Sequence, residues 1–128
     1  MKEEQLIDLA KQAKESAYAP YSRFRVGAAL LCADGTVYTG CNIENATYGA
    51  TICAERTAVF KAVSEGHRDF VMLAITSDSE TFTAPCGICR QVLAEFCPDE
   101  LPVLMSDREG RFRKMLLGEL LPEAFRLS

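Results

Sequence analysis

The tightest constraint on this chain is a set of three cysteines and a glutamate in two short motifs, Cys53-Ala54-Glu55 and Pro85-Cys86-Gly87-Ile88-Cys89. Three thiolates fill three corners of a zinc tetrahedron and leave the fourth to water, the arrangement of a catalytic metal centre rather than a structural one. A fold that uses them together must bring both motifs to one point. Cys86 and Cys89 are i and i+3, so a helix puts both sulfurs on one face. Near a helix N-terminus the unpaired N–H groups and the dipole favour thiolate over thiol. With Cys53 at the start of another helix, two helix N-termini should meet at one zinc. Glu55 sits beside a ligand without being needed as one, which suits a general base handling the proton of a zinc-activated water. Cys53 and Glu55 are i and i+2, which a regular helix points roughly oppositely. The geometry closes if Cys53 lies at the helix entry and Glu55 within the first turn.

Two other readings compete. Cys86 and Cys89 alone form a C-x-x-C pair, the signature of a dithiol redox site, and Cys41 or Cys97 as a fourth ligand would close the zinc site into a structural one. The Cys-x-Glu upstream and the absence of a second C-x-x-C favour the open metal site. Cys32, Cys41 and Cys97 read as buried apolar residues. His67, the only histidine, follows Gly66 at a helix end and reads as a surface residue, which leaves no His for a Ser-His-Asp or Cys-His nucleophile. Three thiolates leave a zinc site net negative, which opposes ionisation of its water. Arg56, i+3 from Cys53, and Arg90, i+4 from Cys86, are placed to donate to the sulfurs and draw off charge. The competing reading, arginines solvated on helix faces, is as good for Arg90 and weaker for Arg56.

Periodicity supplies the frame around the motifs. Residues Glu3 to Ala17 set Leu6, Ile7, Ala10, Ala13, Lys14 and Ala17 on one helical stripe, which Tyr18-Ala19-Pro20-Tyr21-Ser22 ends. Arg25 to Ala33 reads as a mostly buried strand, Asp34-Gly35 as a two-residue hairpin, and Thr36 to Asn42 as the return strand. Cys53 to Ser64 forms a helix closed by Gly66. A strand follows over Phe70 to Thr76, then a helix from Pro85, in its first turn, to Cys97. Pro102 to Ser106 and Phe112 to Leu116 are strands, with a short helical tail around Glu119 to Phe125. This α-β-β-α-β-α-β-β-α order predicts a three-layer α/β/α fold on a mixed, about five-stranded sheet. Strands joined by helix crossovers should run parallel, and the hairpin antiparallel.

A chain of 128 residues without repeats or linkers reads as one domain, residues 1–128, large enough to bury a core without disulfides. The N-terminus opens directly into the amphipathic pattern, and the longest apolar stretch, Val26 to Ala33, is far too short to span a bilayer. The expectation is a cytoplasmic protein that does not enter membranes, its six cysteines serving as ligands or free thiols. A net charge of −4 with no basic stripe argues against nucleic acid as a partner.

Several stretches, in order, resemble the small homotetrameric zinc-dependent cytidine deaminases. They are Tyr18-Ala19-Pro20-Tyr21-Ser22-Arg23-Phe24-Arg25-Val26-Gly27-Ala28, Gly40-Cys41-Asn42-Ile43-Glu44-Asn45-Ala46, Cys53-Ala54-Glu55-Arg56-Thr57-Ala58 and Pro85-Cys86-Gly87-Ile88-Cys89-Arg90-Gln91. The similarity extends over nearly the whole chain. It implies a cytidine deaminase-like fold and hydrolytic deamination of cytidine and 2′-deoxycytidine to the uridines plus ammonia, a step of pyrimidine salvage. It implies one Zn²⁺ per chain on Cys53, Cys86 and Cys89, with Glu55 as proton shuttle.

The same resemblance assigns roles that the residues alone do not. Phe24 is implied to pack beside the nucleoside, Asn42 and Glu44 to hydrogen-bond ribose hydroxyls, and the Ala54 N–H to meet the base carbonyl. Tyr48 and Phe125 are implied to reach a neighbouring subunit's site, Phe125 against the base, in a homotetramer with shared active sites. Read without the resemblance, these five side chains would be core or loop residues. A carboxylate at Glu44 and the lack of a Gly-rich phosphate loop fit a free nucleoside better than a nucleotide. A blasticidin-type aminonucleoside deaminase would use similar chemistry.

Overall fold

The structure, a computed structural model, describes residues 1–127. A five-stranded sheet of order β2-β1-β3-β4-β5 forms the middle layer. Its strands are β1 (Val26–Cys32), β2 (Val37–Cys41), β3 (Phe70–Ser77), β4 (Pro102–Ser106) and β5 (Phe112–Leu116). β1 is antiparallel to both β2 and β3, β3 is parallel to β4, and β4 is antiparallel to β5. The one parallel pair is the pair joined by a helix crossover, since such a connection returns the chain to the same end of the sheet.

Side chains alternate across the strands, and both faces are covered. Ala29 and Leu31 of β1, Ala74 of β3 and Leu104 of β4 pack with Leu6, Ile7 and Ala10 of α1 (Glu3–Lys14). Ala28, Leu30, Leu73, Ile75, Val103 and Met105 form the larger core on the other face. There they meet α2 (Ala54–Ser64), α3 (Gly87–Phe96) and α4 (Leu117–Leu120). The expected three-layer fold on a mixed five-stranded sheet is the one observed. No helix among the described residues is long and apolar enough to cross a membrane.

Four boundaries differ from the sequence reading, each for a local reason. α1 stops at Lys14 rather than Ala17, because Glu15, Ser16 and Ala17 turn back to carbonyls three residues earlier and the Tyr18 N–H goes to the Asn42 carbonyl at 3.0 Å. The β1–β2 loop is not a two-residue turn. Gly35 (φ +92°) is its only left-handed residue, whereas a two-residue type I′ loop needs two. The loop instead closes over Ala33, Asp34 and Gly35, with Cys32 N–H on the Thr36 carbonyl at 2.8 Å. Pro85 precedes the α3 cap instead of opening the helix, because Cys86 is extended (φ −69°, ψ 168°) and Gly87 is the first helical residue. α4 begins directly after β5 and ends at Leu120, because Leu121 is kept out of the helical region by Pro122 (φ −142°, ψ 74°). Phe125 therefore lies beyond it, not in a helix.

Two glycines set how closely helices approach the sheet. A Cβ on Gly27 would collide with the Ala10 carbonyl and lie 2.7 Å from Lys14 N. One on Gly40 would collide with the Ala54 carbonyl and lie 2.6 Å from Ala58 N. Gly40 thus lets the first turn of α2 rest on β2. Gly40→Ala should force that turn off the sheet, at about 1–3 kcal/mol for overpacking. A lower urea midpoint with weaker zinc retention is the expected outcome.

At the end of β3, Asp78 accepts from Arg25 Nε at 3.0 Å and Nη2 at 3.1 Å, and from Lys14 Nζ at 3.0 Å. The hydrogen bonds from Arg25, then that from Lys14, hold the Asp78 carboxyl down at about 2, against burial acting the other way. A carboxyl lowered in the folded state adds stability that is complete above its unfolded value of ~3.9 and vanishes as pH falls through its folded value. Between about pH 5 and pH 2 the wild type should lose more stability than Asp78→Asn, as chemical unfolding at each pH would measure.

Candidate metal centre

Both expected helix starts converge. Cys53 is the N-cap of α2 and Cys86 the N-cap of α3, each extended, while Cys89 is the third residue of α3. The Cys53 and Cys86 sulfurs are 3.7 Å apart and those of Cys86 and Cys89 3.4 Å, with all three sulfurs mutually within 4.8 Å. A tetrahedral ion with Zn–S bonds of ~2.3 Å spaces its sulfurs ~3.8 Å apart, so the site fits zinc with small side-chain adjustments. Cys89 is buried and Cys86 exposed, which leaves the cluster open on one side. Because Cys53 stands outside the helix, Glu55 at the second helical position can share its side of the chain. That resolves the i, i+2 difficulty.

The electrostatics of these groups are coupled. Cys53 is drawn down to about 5, first by the hydrogen bond from Cys89, then, against burial, by Arg56 and Cys86. Cys89, as the donor in that bond and a buried thiol, is pushed up. One negative charge therefore settles on Cys53, with a thiol and a guanidinium turned to it. Arg56 Nη2 lies 3.3 Å from Cys53 Sγ, and its buried Nε has no hydrogen-bond partner among the described residues. Arg90 goes elsewhere: its Nε donates to the Pro85 carbonyl and its Nη1 to that of Leu120, both at 2.8 Å. It ties the α3 entry to the end of α4 and touches no sulfur. Glu55 is only 4% exposed, and burial raises its carboxyl to about 7.

The remaining predicted residues lie at several places around the cluster. Asn42 spans two backbone groups at the start of β1, its Oδ1 accepting from Val26 N–H and its Nδ2 donating to the Phe24 carbonyl, both at 2.8 Å. Phe24 and Asn42 are thus one unit. Glu44 accepts from the N–H groups of Tyr21 at 2.9 Å and Ser22 at 3.1 Å, and from the Ser22 hydroxyl. These bonds, the Ser22 hydroxyl foremost, lower its pKa. Sequence reasoning took Tyr21-Ser22 only as a helix stop and missed that it holds Glu44; the signal was the polar side chain of Ser22 in a turn. Glu44 and Tyr48 line a cavity of about 250 Å³ with Tyr21, Ser22, Asn45 and Thr51, while the cysteines and Glu55 do not border it. The Phe125 ring is exposed, though its carbonyl is held by Gln91 Nε2 at 2.8 Å. Ala54 is the first residue of α2, so its N–H has no intrahelical partner.

Comparison with known proteins identifies the family. Residues 1–105 match the family model described as the cytidine and deoxycytidylate deaminase zinc-binding region. The chain is 55% identical over 122 residues to a cytidine deaminase of Sporosarcina psychrophila, covering 95% of this chain and 90% of that one. It is 54% identical over 125 residues to a cytidine deaminase of Halalkalibacterium halodurans, covering 98% and 95%. The crystal structure of a cytidine deaminase from Burkholderia pseudomallei superposes with a TM-score of 0.94 at 48% identity, over 98% of this chain and all of that one. A buried carboxylate beside three convergent sulfurs, on this sheet and with these relatives, places the chain in the cytidine deaminase family.

Proposed function

We propose that this chain hydrolyses the exocyclic amine of cytidine and 2′-deoxycytidine, giving the uridines and ammonia. The observation that carries the reading is Glu55, buried to 4% exposure next to the Cys53, Cys86 and Cys89 sulfurs and raised by that burial to about 7. A carboxyl near neutrality both accepts and releases protons at working pH. A redox dithiol needs neither a third sulfur nor such a carboxylate.

Cys53, Cys86 and Cys89 would hold one Zn²⁺, which when bound supplies Lewis acidity and lowers the pKa of a water toward ~7. Glu55 then takes a proton from the attacking water and gives one to ring N3, making C4 electrophilic. It later passes a proton to the departing amine. Arg56, donating to Cys53 Sγ, offsets negative charge on the sulfurs. Arg90 supports the site indirectly, by fixing the carbonyl of Pro85 beside Cys86. The unpaired Ala54 N–H is suited to the base carbonyl. Asn42 retains a second amide N–H, and Glu44 a lone pair beyond its three bonds, for ribose hydroxyls. The Phe24 ring, 41% exposed, offers a flat apolar surface for the nucleoside.

The homotetramer with shared sites belongs to the same reading. Tyr48 and Phe125 are 83% and 68% exposed, too open for core residues and available to a neighbouring copy. The exposed rim of α2 and α3, with Phe60 and Ile88, supplies further apolar surface. A cytoplasmic salvage role follows from a free nucleoside as substrate. Equilibrium sedimentation should give four chains per particle, and a monomer with full activity would remove the shared-site reading.

The enzymatic test is cytidine turnover, followed by ultraviolet absorbance, with zinc-loaded and chelator-stripped protein. Glu55→Gln should keep zinc and fold but lose activity by at least ~10²–10⁴-fold. Arg56→Gln should cut turnover by ~10–100-fold with a smaller loss of zinc retention. Full activity in Glu55→Gln would overturn the mechanism, and turnover of blasticidin S but not cytidine would reassign the substrate.

A further inference from the structure

Away from the sulfur cluster, the β1–β2 loop and the end of α2 bring together a second set of donors. Cys32 Sγ, a carboxylate oxygen of Asp34 and a ring nitrogen of His67 lie within 4.8 Å of one another. Separate local structures hold each of them. Cys32 ends β1, its N–H on the Thr36 carbonyl. The other Asp34 oxygen, Oδ1, accepts from Thr36 N–H at 3.0 Å, which fixes the side chain over the loop. His67 is set by the helix ending: Gly66 (φ +95°) lets its own N–H reach the Val63 carbonyl at 3.1 Å and the His67 N–H reach that of Ala62 at 3.0 Å.

The His67 ring is oriented at both nitrogens. Nε2 is 3.1 Å from Asp34 Oδ2, and Nδ1 is 3.1 Å from the Tyr38 hydroxyl, with the Tyr38 ring edge-on at 5.2 Å. A cavity of about 290 Å³ is lined by Cys32, Asp34 and His67. Asp69 also borders it, and the one nearby guanidinium, Arg68, donates to the carbonyls of Val63 and His67.

We propose that Cys32, Asp34 and His67 form a second metal site that takes Zn²⁺, with water as the fourth ligand. Thiolate, imidazole and carboxylate are all zinc ligands, and a set this mixed suits borderline Zn²⁺ better than a hard cation. Bonds of ~2.3 Å to sulfur and ~2.0–2.1 Å to nitrogen and oxygen space the donors ~3.3–3.7 Å apart. The Asp34–His67 pair, at 3.1 Å, stands near that spacing. On binding, Cys32 gives its thiol proton to solvent and its sulfur forms a bond to the ion. His67 binds through Nε2 and keeps its proton on Nδ1, donated to the Tyr38 oxygen. The Asp34–His67 hydrogen bond is replaced by two metal bonds, and Tyr38 becomes the group that orients the imidazole.

The test uses protein already carrying one zinc, equilibrated against buffered free Zn²⁺ and read as zinc per chain by elemental mass spectrometry. The wild type should take up a second equivalent, which His67→Gln and Cys32→Ser should lose. Tyr38→Phe should weaken it by ~10-fold. Cys53→Ser should lose the first equivalent and keep the second, so failure at one site is separable from failure at the other. Circular dichroism checks the fold of Cys32→Ser, whose thiol is buried, while half-buried His67 gives a variant with little packing to lose. Saturation of the wild type at one zinc, or retention of the second ion by either ligand variant, would overturn the proposal.

Discussion

Two helix N-termini aimed at one point repel each other, since each presents unpaired N–H groups and the positive end of a dipole. Negative charge between α2 and α3 therefore favours their meeting. Here that charge is thiolate, centred on Cys53, with the sulfurs of Cys86 and Cys89 beside it. Much of the molecule serves this meeting. Gly40 lets α2 lie against β2, the shared core of Leu73, Ile75 and Val103 seats both helices on one sheet face, and Arg90 pins the entry of α3. Arg56 adds a further positive group here, its Nη2 3.3 Å from Cys53 Sγ.

Glu55 depends on the same geometry in a different way. Its burial is what raises its carboxyl, and its place two residues after Cys53 keeps it beside the sulfurs. Cys53, extended at the cap, turns the chain so that a residue two positions on enters the interior. One backbone feature, an extended residue before a helix, thus sets both the direction of the Cys53 sulfur and the burial of Glu55.

What could be read from the sequence was what neighbours in the chain decide. The cysteine spacing, the helix starts and the apolar run of Ala28 to Cys32 are local patterns, and from them came the sheet, its layers and the meeting of the three sulfurs. The residues that escaped are fixed by distant partners. Arg90 was one helical turn from Cys86 and just as close to turning away; the choice was made by the Leu120 carbonyl, thirty residues on. Asn42 belongs to the Phe24 and Val26 backbone because an antiparallel pair brings it there, and Glu44 belongs to the Tyr21-Ser22 turn for a similar reason. The hairpin length failed because Asp-Gly is compatible with more than one loop, and the flanking strand register selects among them. His67, read as a surface residue, is drawn toward Cys32 and Asp34 by a helix ending whose glycine was recognised but whose geometry was not.

Cys53 and Cys86 make no side-chain cap to the helices they open. Serine or aspartate at either position would satisfy an orphan N–H and add about 1 kcal/mol of stability. Two of the most exacting positions in the chain are thus occupied by residues that a search for a sturdier fold would replace. Selection for folding alone would drift toward caps at both places and remove two of the three clustered sulfurs. The sulfur cluster survives in this architecture only under continuous demand for it, and a relative with the same sheet and two serines at these helix starts would keep the fold and lose the cluster.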